Sequence, residues 1–261
     1  METKSIISFM FLVEAMINSS NFTTAQKPTP DQTHSQCGTN GNFKSDKLIA
    51  ERDNAFKTLI KNVDSPDYYL GYQSGIIKGN DFVVHTDALC PPNIKKEACA
   101  ECVKNTIPNL KKNCPKQKEG VAWTVLIKVV CIVRYADSTL IQGNLMNSTW
   151  AFFSSPYQTT TSVGELEKGV NGLANKLKGP VAGGDGVKKY GFGSLNYGAG
   201  SKTTLYGSMQ CNPNNHEDNC KICLSVASKE IHNNCTKKRA RTGLAISPNC
   251  YFWYAHFNFT Q

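Results

Sequence analysis

The chain has 261 residues and 11 cysteines, and its 29 Lys and Arg outnumber its 20 Asp and Glu, giving a net charge of +9. Charged residues make up only 19% and hydrophobic residues 40%, which argues against a disordered chain. The sequence contains no run of about 18 apolar residues, so we predict no transmembrane anchor. The cysteine count is high for a cytosolic protein, whose thiols stay reduced, and therefore favours an oxidising compartment.

The N-terminus has the composition of a secretory signal peptide. Lys4 precedes an apolar run from Ile6 to Val13, and the small residues Thr23 and Ala25 are suited to cleavage after Ala25. Glu14 is atypical inside the apolar part, so a flexible tail is the alternative. We predict a signal peptide at 1–25, a polar arm at 26–34 and a secreted protein.

A spaced cysteine triplet occurs twice in the chain. The offset between the two copies is 121 residues for four successive cysteines and 119 for the last pair, Cys131 and Cys250. At the larger offset Cys37 has no counterpart, because position 158 is Gln158. A match of this kind indicates a tandem duplication, with a first cysteine-rich domain at 35–137, a linker at 138–156 and a second domain at 157–261. The repeated Cys-x8-Cys-x2-Cys triplets are Cys90, Cys99 and Cys102, and Cys211, Cys220 and Cys223.

Each copy shows the same order of predicted elements: a helix, two strands, a helix and a strand. The first helix has apolar residues along one face and Ser45 or Asp46 at its start, and glycines separate the strands. This order predicts the α+β class, in which each domain is an antiparallel sheet with two helices packed on one face. The predicted helices lie at 47–63, 94–112, 163–177 and 217–233, and the predicted strands at 68–72, 81–85, 123–135, 189–197, 203–210 and 243–256.

The duplicated triplet behind a signal peptide resembles the ginkbilobin-type, cysteine-rich "stress-antifungal" domain of plants. The resemblance covers 35–137 and 157–257. It implies a cysteine-rich receptor-like secretory protein of the apoplast, acting without enzymatic activity in plant defence or stress signalling. Its implied partner is an extracellular protein, such as a receptor ectodomain, or a carbohydrate. The alternative is a direct antifungal protein that acts on microbial walls or membranes.

The same resemblance implies a disulfide pairing of first with fifth, second with third and fourth with sixth cysteine. One local argument agrees with part of it, because Cys99 and Cys102 share a helical surface and must reach different elements. Cys235 is expected to remain a thiol, either buried or available for an intermolecular bridge. The implied pairs are Cys37–Cys114, Cys90–Cys99, Cys102–Cys131, Cys211–Cys220 and Cys223–Cys250.

The sequence offers no catalytic or metal-binding constellation. It contains no Gly-x-Ser-x-Gly elbow and no Ser/His/Asp set that the duplication would bring together. A Cys-x2-Cys pair also occurs in zinc sites, but His216 in the second copy corresponds to Lys95 in the first. We therefore predict no enzyme, no metal and no cofactor.

A basic run near the C-terminus is the candidate contact for an anionic partner, and its residues are Lys237, Lys238, Arg239 and Arg241. One interpretation is a solvated loop that keeps the protein soluble. The other is attraction to an anionic microbial membrane or an acidic wall polysaccharide. Nucleic acid is disfavoured as a partner of a secreted chain.

Members of the resembled family that bind mannose use an Asn, an Arg and a Glu at fixed places relative to the first and sixth cysteines. Here all six positions lack those residue types, which predicts weak or absent mannose binding because sugar hydroxyls would lose their hydrogen-bond partners. Lys128 or Asp137 could stand in at the least secure position, Val125. The six positions are Gly38, Val125 and Ala136 in the first copy, and Thr159, Leu244 and Ala255 in the second.

Two further patterns concern the surface and the core. Asn147, Asn234 and Asn258 each begin an Asn-x-Ser/Thr glycosylation triplet. The aromatic cluster 251–254, with Phe257 and Phe259, could stack on a sugar, but alternation along a strand would bury about half of these side chains, so we predict that the cluster belongs to the core.

Overall fold

The structure, a computed structural model, describes residues 33–65, 72–78, 83–125, 129–137, 151–155, 157–184, 189–198, 200 and 203–259. Over these residues the chain forms two five-stranded antiparallel sheets and four α-helices. This confirms the α+β class with two tandem disulfide-stapled domains. The predicted signal peptide and most of the polar arm lie outside the described residues.

The first domain is a sheet in the order β1-β4-β5-β3-β2 with two helices on one face. The first helix begins where the sequence predicts, because the side chain of Ser45 accepts a hydrogen bond from the backbone N–H of Leu48. The elements of this domain are β1 (Thr33–Cys37), α1 (Asp46–Asp64), β2 (Tyr72–Lys78), β3 (Val83–Leu89), α2 (Lys96–Asn113), β4 (Glu119–Val125) and β5 (Val130–Ala136).

The second domain repeats this topology in the order β6-β9-β10-β8-β7. Its first strand comes from residues that the sequence assigns to the linker. Ser162 caps its first helix through a hydrogen bond to the backbone N–H of Glu165. The elements are β6 (Ala151–Ser154), α3 (Val163–Ala182), β7 (Tyr190–Tyr197), β8 (Thr203–Cys211), α4 (Glu217–Asn234), β9 (Thr242–Ile246) and β10 (Cys250–Ala255).

The single strand predicted at the end of each copy is wrong, since each is an antiparallel hairpin. In the second domain the chain reverses at Ser247–Asn249, where Pro248 has no N–H to offer a ladder. The hydroxyl of Ser247 fastens this turn by accepting hydrogen bonds from the backbone N–H groups of Asn249 and Cys250. β-branched and aromatic residues occur on both sides of the turn, so composition alone conceals the reversal.

Glycines that the sequence presents as breakers lie inside elements where helix and sheet come close. A Cβ on Gly75, within β2, would lie 2.7 Å from the hydroxyl oxygen of Thr86 and 3.0 Å from the backbone oxygen of Ala55 in α1. Gly169 in α3 makes the same kind of approach to the ring of Tyr197, at 2.7 Å. These glycines therefore permit close packing of a helix on a sheet rather than ending an element.

The second face of each sheet packs against the other domain and forms a third hydrophobic core. The two domain cores lie between each sheet and its helices, and the third core lies between the sheets. All four aromatic residues of the 251–254 cluster are buried, because alternate side chains enter the second domain's own core and the shared core. The prediction that the cluster belongs to the core is therefore confirmed, and the expected fraction of about half is too low because both faces of the strand are covered. The shared core comprises Leu89, Val121, Trp123, Val130, Ile132, Leu244, Ile246, Tyr251, Trp253, Ala255 and Phe259.

A buried ion pair lies beside the shared core and links the domains. Arg134 on β5 contacts the carboxylate of Asp87 on β3, its cross-strand neighbour, through Nε at 2.7–2.8 Å and Nη2 at 2.7 Å. From the second domain, Asn249 accepts a hydrogen bond from Arg134 Nη1 at 2.8 Å and Asn212 donates one to Asp87 at 3.3 Å. Burial raises the pKa of Asp87, and the charge of Arg134 opposes that shift. The pair and its two amide partners fix the position of one domain on the other.

Candidate functional site

The structure contains five disulfides, and they are the pairs that the family resemblance implies. Cys99 and Cys102 both lie on α2, yet they bridge to different elements, Cys90 after β3 and Cys131 on β5. No bridge joins the two domains among the described residues. The bonds are Cys37–Cys114, Cys90–Cys99, Cys102–Cys131, Cys211–Cys220 and Cys223–Cys250.

The strand register and the constant offset of 121 residues give different positions for the cysteine that the second copy lacks. In the first domain Cys37 pairs with Gly120, whereas in the second Ser154 pairs with Gly243. The two glycines are equivalent, since each packs against a tyrosine ring of the next strand. Ser154 therefore occupies the place of Cys37, and the assignment of that place to Gln158 is wrong. A constant offset misplaces it because the two copies differ in loop lengths.

Cys235 remains a thiol and is completely buried at the end of α4. Its Sγ lies 2.8 Å from where a Cβ on Gly243 would be, so Gly243 leaves the room that this side chain occupies. Burial raises the pKa of the Cys235 thiol to about 11. At neutral pH the group is therefore a protonated, poorly nucleophilic thiol.

The predicted basic run lies in a loop that is longer in the second domain than in the first. Four residues, 115–118, lead from Cys114 to β4, whereas six residues, Thr236–Arg241, lead from Cys235 to β9. We call Thr236–Arg241 the basic loop. Its four cationic side chains, those of Lys237, Lys238, Arg239 and Arg241, are exposed or partly exposed.

Backbone hydrogen bonds hold the basic loop in one conformation. A 3-10 turn begins after Cys235, and Arg239 follows it with φ 54°, the one positive φ of a non-glycine residue in the described ranges. Left-handed backbone costs a residue of this kind about 1 kcal/mol. The conformation is held by the Arg239 N–H, which donates to Thr236, and by the Arg239 guanidinium, which donates to the side chain of Gln158 at 2.9 Å.

Comparison of the two domains shows that a cation paired with a carboxylate in the first domain has a histidine at the equivalent place in the second. In the first domain Lys118 Nζ lies 2.7 Å from a carboxylate oxygen of Asp137. The equivalent backbone contact in the second domain joins Arg241 to His256, so an imidazole replaces the carboxylate. Burial lowers the pKa of His256, which keeps the ring neutral at pH 7. The ion pairs recorded for the described part of the second domain lie elsewhere, on α3 and α4.

Two exposed aromatic side chains border this loop. Tyr157 is 73% exposed, and its backbone oxygen accepts a hydrogen bond from the N–H of Arg241 at 3.0 Å. Phe257 is 43% exposed and follows His256, whose N–H donates to the backbone oxygen of Arg241 at 3.1 Å. We call the group Tyr157, Lys237, Lys238, Arg239, Arg241 and Phe257 the basic-aromatic surface.

Sequence reasoning found the four cations of this surface but not its aromatic members. Phe257 belongs to the aromatic cluster that the sequence assigns to the core, and no sequence pattern singles out Tyr157. Tyr157 is brought to the loop by pairing of the 157–159 segment with 239–241, a long-range contact. The run is therefore one edge of a larger surface.

Three of the six positions aligned with the mannose contacts of the resembled family are buried, and the other three, Gly38, Val125 and Thr159, are partly exposed. Leu244 and Ala255 belong to the shared core, and Ala136 is also buried. Val125 packs against the shared core. By strand register, however, the residue of the first domain that is equivalent to Leu244 is Val121 and not Val125. Of the two substitutes, Asp137 is in an ion pair with Lys118, and Lys128 lies outside the described residues.

The glycosylation triplets are placed differently from one another. The side-chain amide of Asn234 donates to the backbone oxygen of Glu230 at 2.9 Å, and Thr236 of the same triplet is buried. Asn258 is half-buried next to the exposed Phe257. Asn147 lies outside the described residues, so glycosylation of all three stays a prediction.

In the ranges that the structure covers, no group of three His, Cys, Asp or Glu side chains is placed to hold a metal ion. None of the helices in those ranges is long and apolar enough to cross a membrane.

A protein-family model and several known proteins match this chain. The model of the family described as "Salt stress response/antifungal" matches residues 35–138 and 154–256. Cysteine-rich repeat secretory protein 38 of Arabidopsis thaliana is 26% identical over 222 residues, covering 85% of this chain and 82% of that protein. Cysteine-rich receptor-like protein kinase 29 of the same plant is 28% identical, over 86% of this chain but only 32% of the kinase. The chain thus spans about a third of the length of the receptor-like kinases it matches.

Solved structures show the same fold. The tandem DUF26 ectodomain of the Arabidopsis thaliana cysteine-rich receptor-like protein PDLP8 superposes with a TM-score of 0.64 at 14% identity, covering 85% of this chain and 96% of that one. The corresponding ectodomain of PDLP5 gives a TM-score of 0.59 at 15% identity. With both copies matched and the topology shared, the chain belongs to the salt stress response/antifungal family, whose domain it carries twice in tandem.

Proposed function

We propose that the protein is a secreted, non-enzymatic binding protein of the plant extracellular space, the apoplast, with a role in defence or stress signalling. Five disulfides favour an oxidising compartment. The similarity to a protein named as secretory and to the extracellular parts of receptor-like proteins supports the same location. Its partner is an extracellular protein, such as a receptor ectodomain, or a carbohydrate.

The basic loop is the observation that carries this proposal. It is held by backbone hydrogen bonds, it is longer than its counterpart, and the backbone of Arg241 is bonded to His256 where the equivalent residue of the first domain is Asp137. A loop that served only solubility would gain nothing from a fixed conformation. Fixed, outward-facing cations lower the entropic cost of binding a partner.

Direct antimicrobial action is the second candidate, favoured by the net charge of +9 and by the same cations. In this case the surface would engage anionic microbial walls or membranes. The two candidates differ in their response to salt, because attraction between exposed charges is screened strongly at high ionic strength. Docking to a specific partner also uses shape and hydrogen bonds, so it should weaken less.

Replacing Lys237, Lys238, Arg239 and Arg241 by alanine should abolish most partner capture. Both proteins would be tested on a glycan array, in pull-downs from plant extracellular fluid and against anionic lipid vesicles, each at low and high salt. The matched control removes four exposed cations from the first domain: Lys44, Lys47, Lys57 and Lys61. Equal capture by wild type and by the basic-loop variant would refute the proposed site. Capture confined to anionic vesicles and lost at high salt would support the antimicrobial candidate instead.

We further expect mannose to bind weakly or not at all. Leu244 and Ala255, at the positions of the family's polar contacts, are apolar and buried, so sugar hydroxyls would find no partners there, at a cost of about 1–3 kcal/mol each. Isothermal titration calorimetry with mannose should show no saturable heat. Submillimolar affinity would contradict this expectation.

A further inference from the structure

We propose that the basic-aromatic surface binds an acidic polysaccharide built from uronic acids. This inference rests on the proposed function and names the chemical class of the ligand. Uronic acid polymers repeat a carboxylate on every sugar, and each sugar ring also has an apolar C–H face. A surface that fits them needs cations on a backbone of fixed conformation and exposed aromatic residues on neighbouring segments, and the structure provides both.

The cations are available for a ligand because none of them forms an ion pair with another residue in the part of the chain that the structure describes. The first domain is an internal comparison, since Lys118 there is held by Asp137 at 2.7 Å. In the second domain the equivalent cation is Arg241, and its neighbour is the neutral ring of His256. Arg241 and Lys237 are exposed. Arg presents a planar fork of N–H donors that matches the two oxygens of a carboxylate.

The spacing of these groups is fixed before a ligand arrives. Both backbone edges of Arg241 are bonded, its N–H to Tyr157 and its carbonyl to the N–H of His256. Arg239 is held by its hydrogen bond to Gln158. Its left-handed backbone is the kind of local strain that often accompanies a functional site.

The two rings distinguish a sugar ligand from simple attraction of opposite charges. The backbone of Arg241 is hydrogen-bonded to Tyr157 through its N–H and to His256, the residue before Phe257, through its carbonyl, and the side chains of Tyr157 and Phe257 are exposed. Covering these exposed rings with the apolar C–H face of a sugar removes apolar surface from water, which favours binding. Tyr157 also has a hydroxyl that can form a hydrogen bond. A chain of alternating carboxylates and C–H faces would contact Arg241 and a ring at the same time.

An anionic membrane is a poorer fit to the same residues. Stable attachment to a lipid surface requires a second signal besides a few cations, such as an amphipathic helix or a lipid chain. In the described ranges the surface consists of a short loop and strand ends. A narrow strip of exposed cations with two exposed aromatic residues on neighbouring segments matches a linear polymer better than a flat bilayer.

The test measures binding of wild-type protein to oligogalacturonate by calorimetry at low salt. The same oligomer with its carboxylates methyl-esterified keeps the sugar chain and removes the charge. We expect the ester to bind at least about tenfold more weakly. The variant Lys237→Ala/Lys238→Ala/Arg241→Ala should lose about tenfold or more in affinity, and Tyr157→Ala/Phe257→Ala about threefold to tenfold.

Two control variants keep the result specific. Lys47→Ala/Lys57→Ala/Lys61→Ala removes three exposed cations from the first domain, and Ile222→Ala/Val226→Ala removes exposed apolar side chains from α4. Both should bind oligogalacturonate as the wild type does. Equal losses in the controls would overturn the assignment to this surface.

Other ligands decide the chemical class. Equally tight binding of polyglutamate, unaffected by the loss of Tyr157 and Phe257, would overturn the proposal in favour of charge attraction alone. Binding to vesicles of equal parts phosphatidylglycerol and phosphatidylcholine, without binding to oligogalacturonate, would overturn it in favour of a membrane. If no polyanion binds while the basic loop still captures a neutral glycan or a protein, the polysaccharide assignment fails and the proposed function stands.

Discussion

The variant Asp87→Ala should lower the free energy of unfolding by about 3–5 kcal/mol. It leaves the guanidinium of Arg134 buried without its carboxylate, and an arginine cannot shed its charge by losing a proton. Only Asn249 would remain to accept a hydrogen bond from that group. Urea unfolding followed by tryptophan fluorescence measures the change, since Trp123 and Trp253 lie in the shared core.

The first domain provides a matched control for this substitution. Asp137 also pairs with a cation, Lys118, but both groups are partly exposed, so Asp137→Ala should cost less than about 1 kcal/mol. Replacing both members of the buried pair, by Asp87→Leu and Arg134→Met, should recover most of the lost stability because no charge remains buried. A cost for Asp87→Ala no greater than that for Asp137→Ala would show that the pair does not hold the interface.

The variant Ser154→Cys should form a sixth disulfide, with Cys235, and stabilise the protein. By strand register Ser154 occupies the place of Cys37, whose Cα lies 5.4 Å from that of Cys114 in the first domain. A bridge closing this loop of about 80 residues is worth at most about 4.5 kcal/mol in the chain-entropy model. Peptide mapping under non-reducing conditions detects the bond, and urea unfolding measures the gain.

The control for this prediction is Gln158→Cys, the position that a constant offset between the copies would select. Gln158 pairs with Ala240 in the basic loop, three residues before Gly243, and its exposed side chain accepts a hydrogen bond from Arg239, whereas Cys235 is buried. We expect no new bridge and no gain in stability from it. A disulfide formed by Gln158→Cys and not by Ser154→Cys would show that the strand register of the second domain is wrong.

Much of the architecture could be predicted from local pattern. The helices begin close to their predicted starts because apolar spacing and the caps Ser45 and Ser162 are local signals. The ends of the strands cannot be located in the same way, since a turn such as Ser247–Asn249 lies within a run of strand-forming residues. β1 and β6 give almost no signal because edge strands are short and need no continuous apolar face.

The candidate site was predicted in part for a similar reason. Four cations close together in sequence are visible as a basic run. Whether each has an acidic neighbour depends on residues far along the chain, such as Asp137 for Lys118 and His256 for Arg241. The exposure of Tyr157 and Phe257 also depends on which strands lie beside them.

The sequence by itself determined the duplication, through the spacing of the cysteines, and the α+β class, through the order of the predicted elements, because repeat length and local periodicity can be read directly from the order of residues. The disulfide pairs followed only from the family resemblance, since spacing alone does not fix connectivity. Only the tertiary structure decided that Ser154 holds the place of the absent cysteine, that the two sheets share a core around a buried Asp87–Arg134 pair, and that aromatic rings border the basic loop. Each of these depends on which distant segments pair and pack together, and residue order carries that information only through the whole fold.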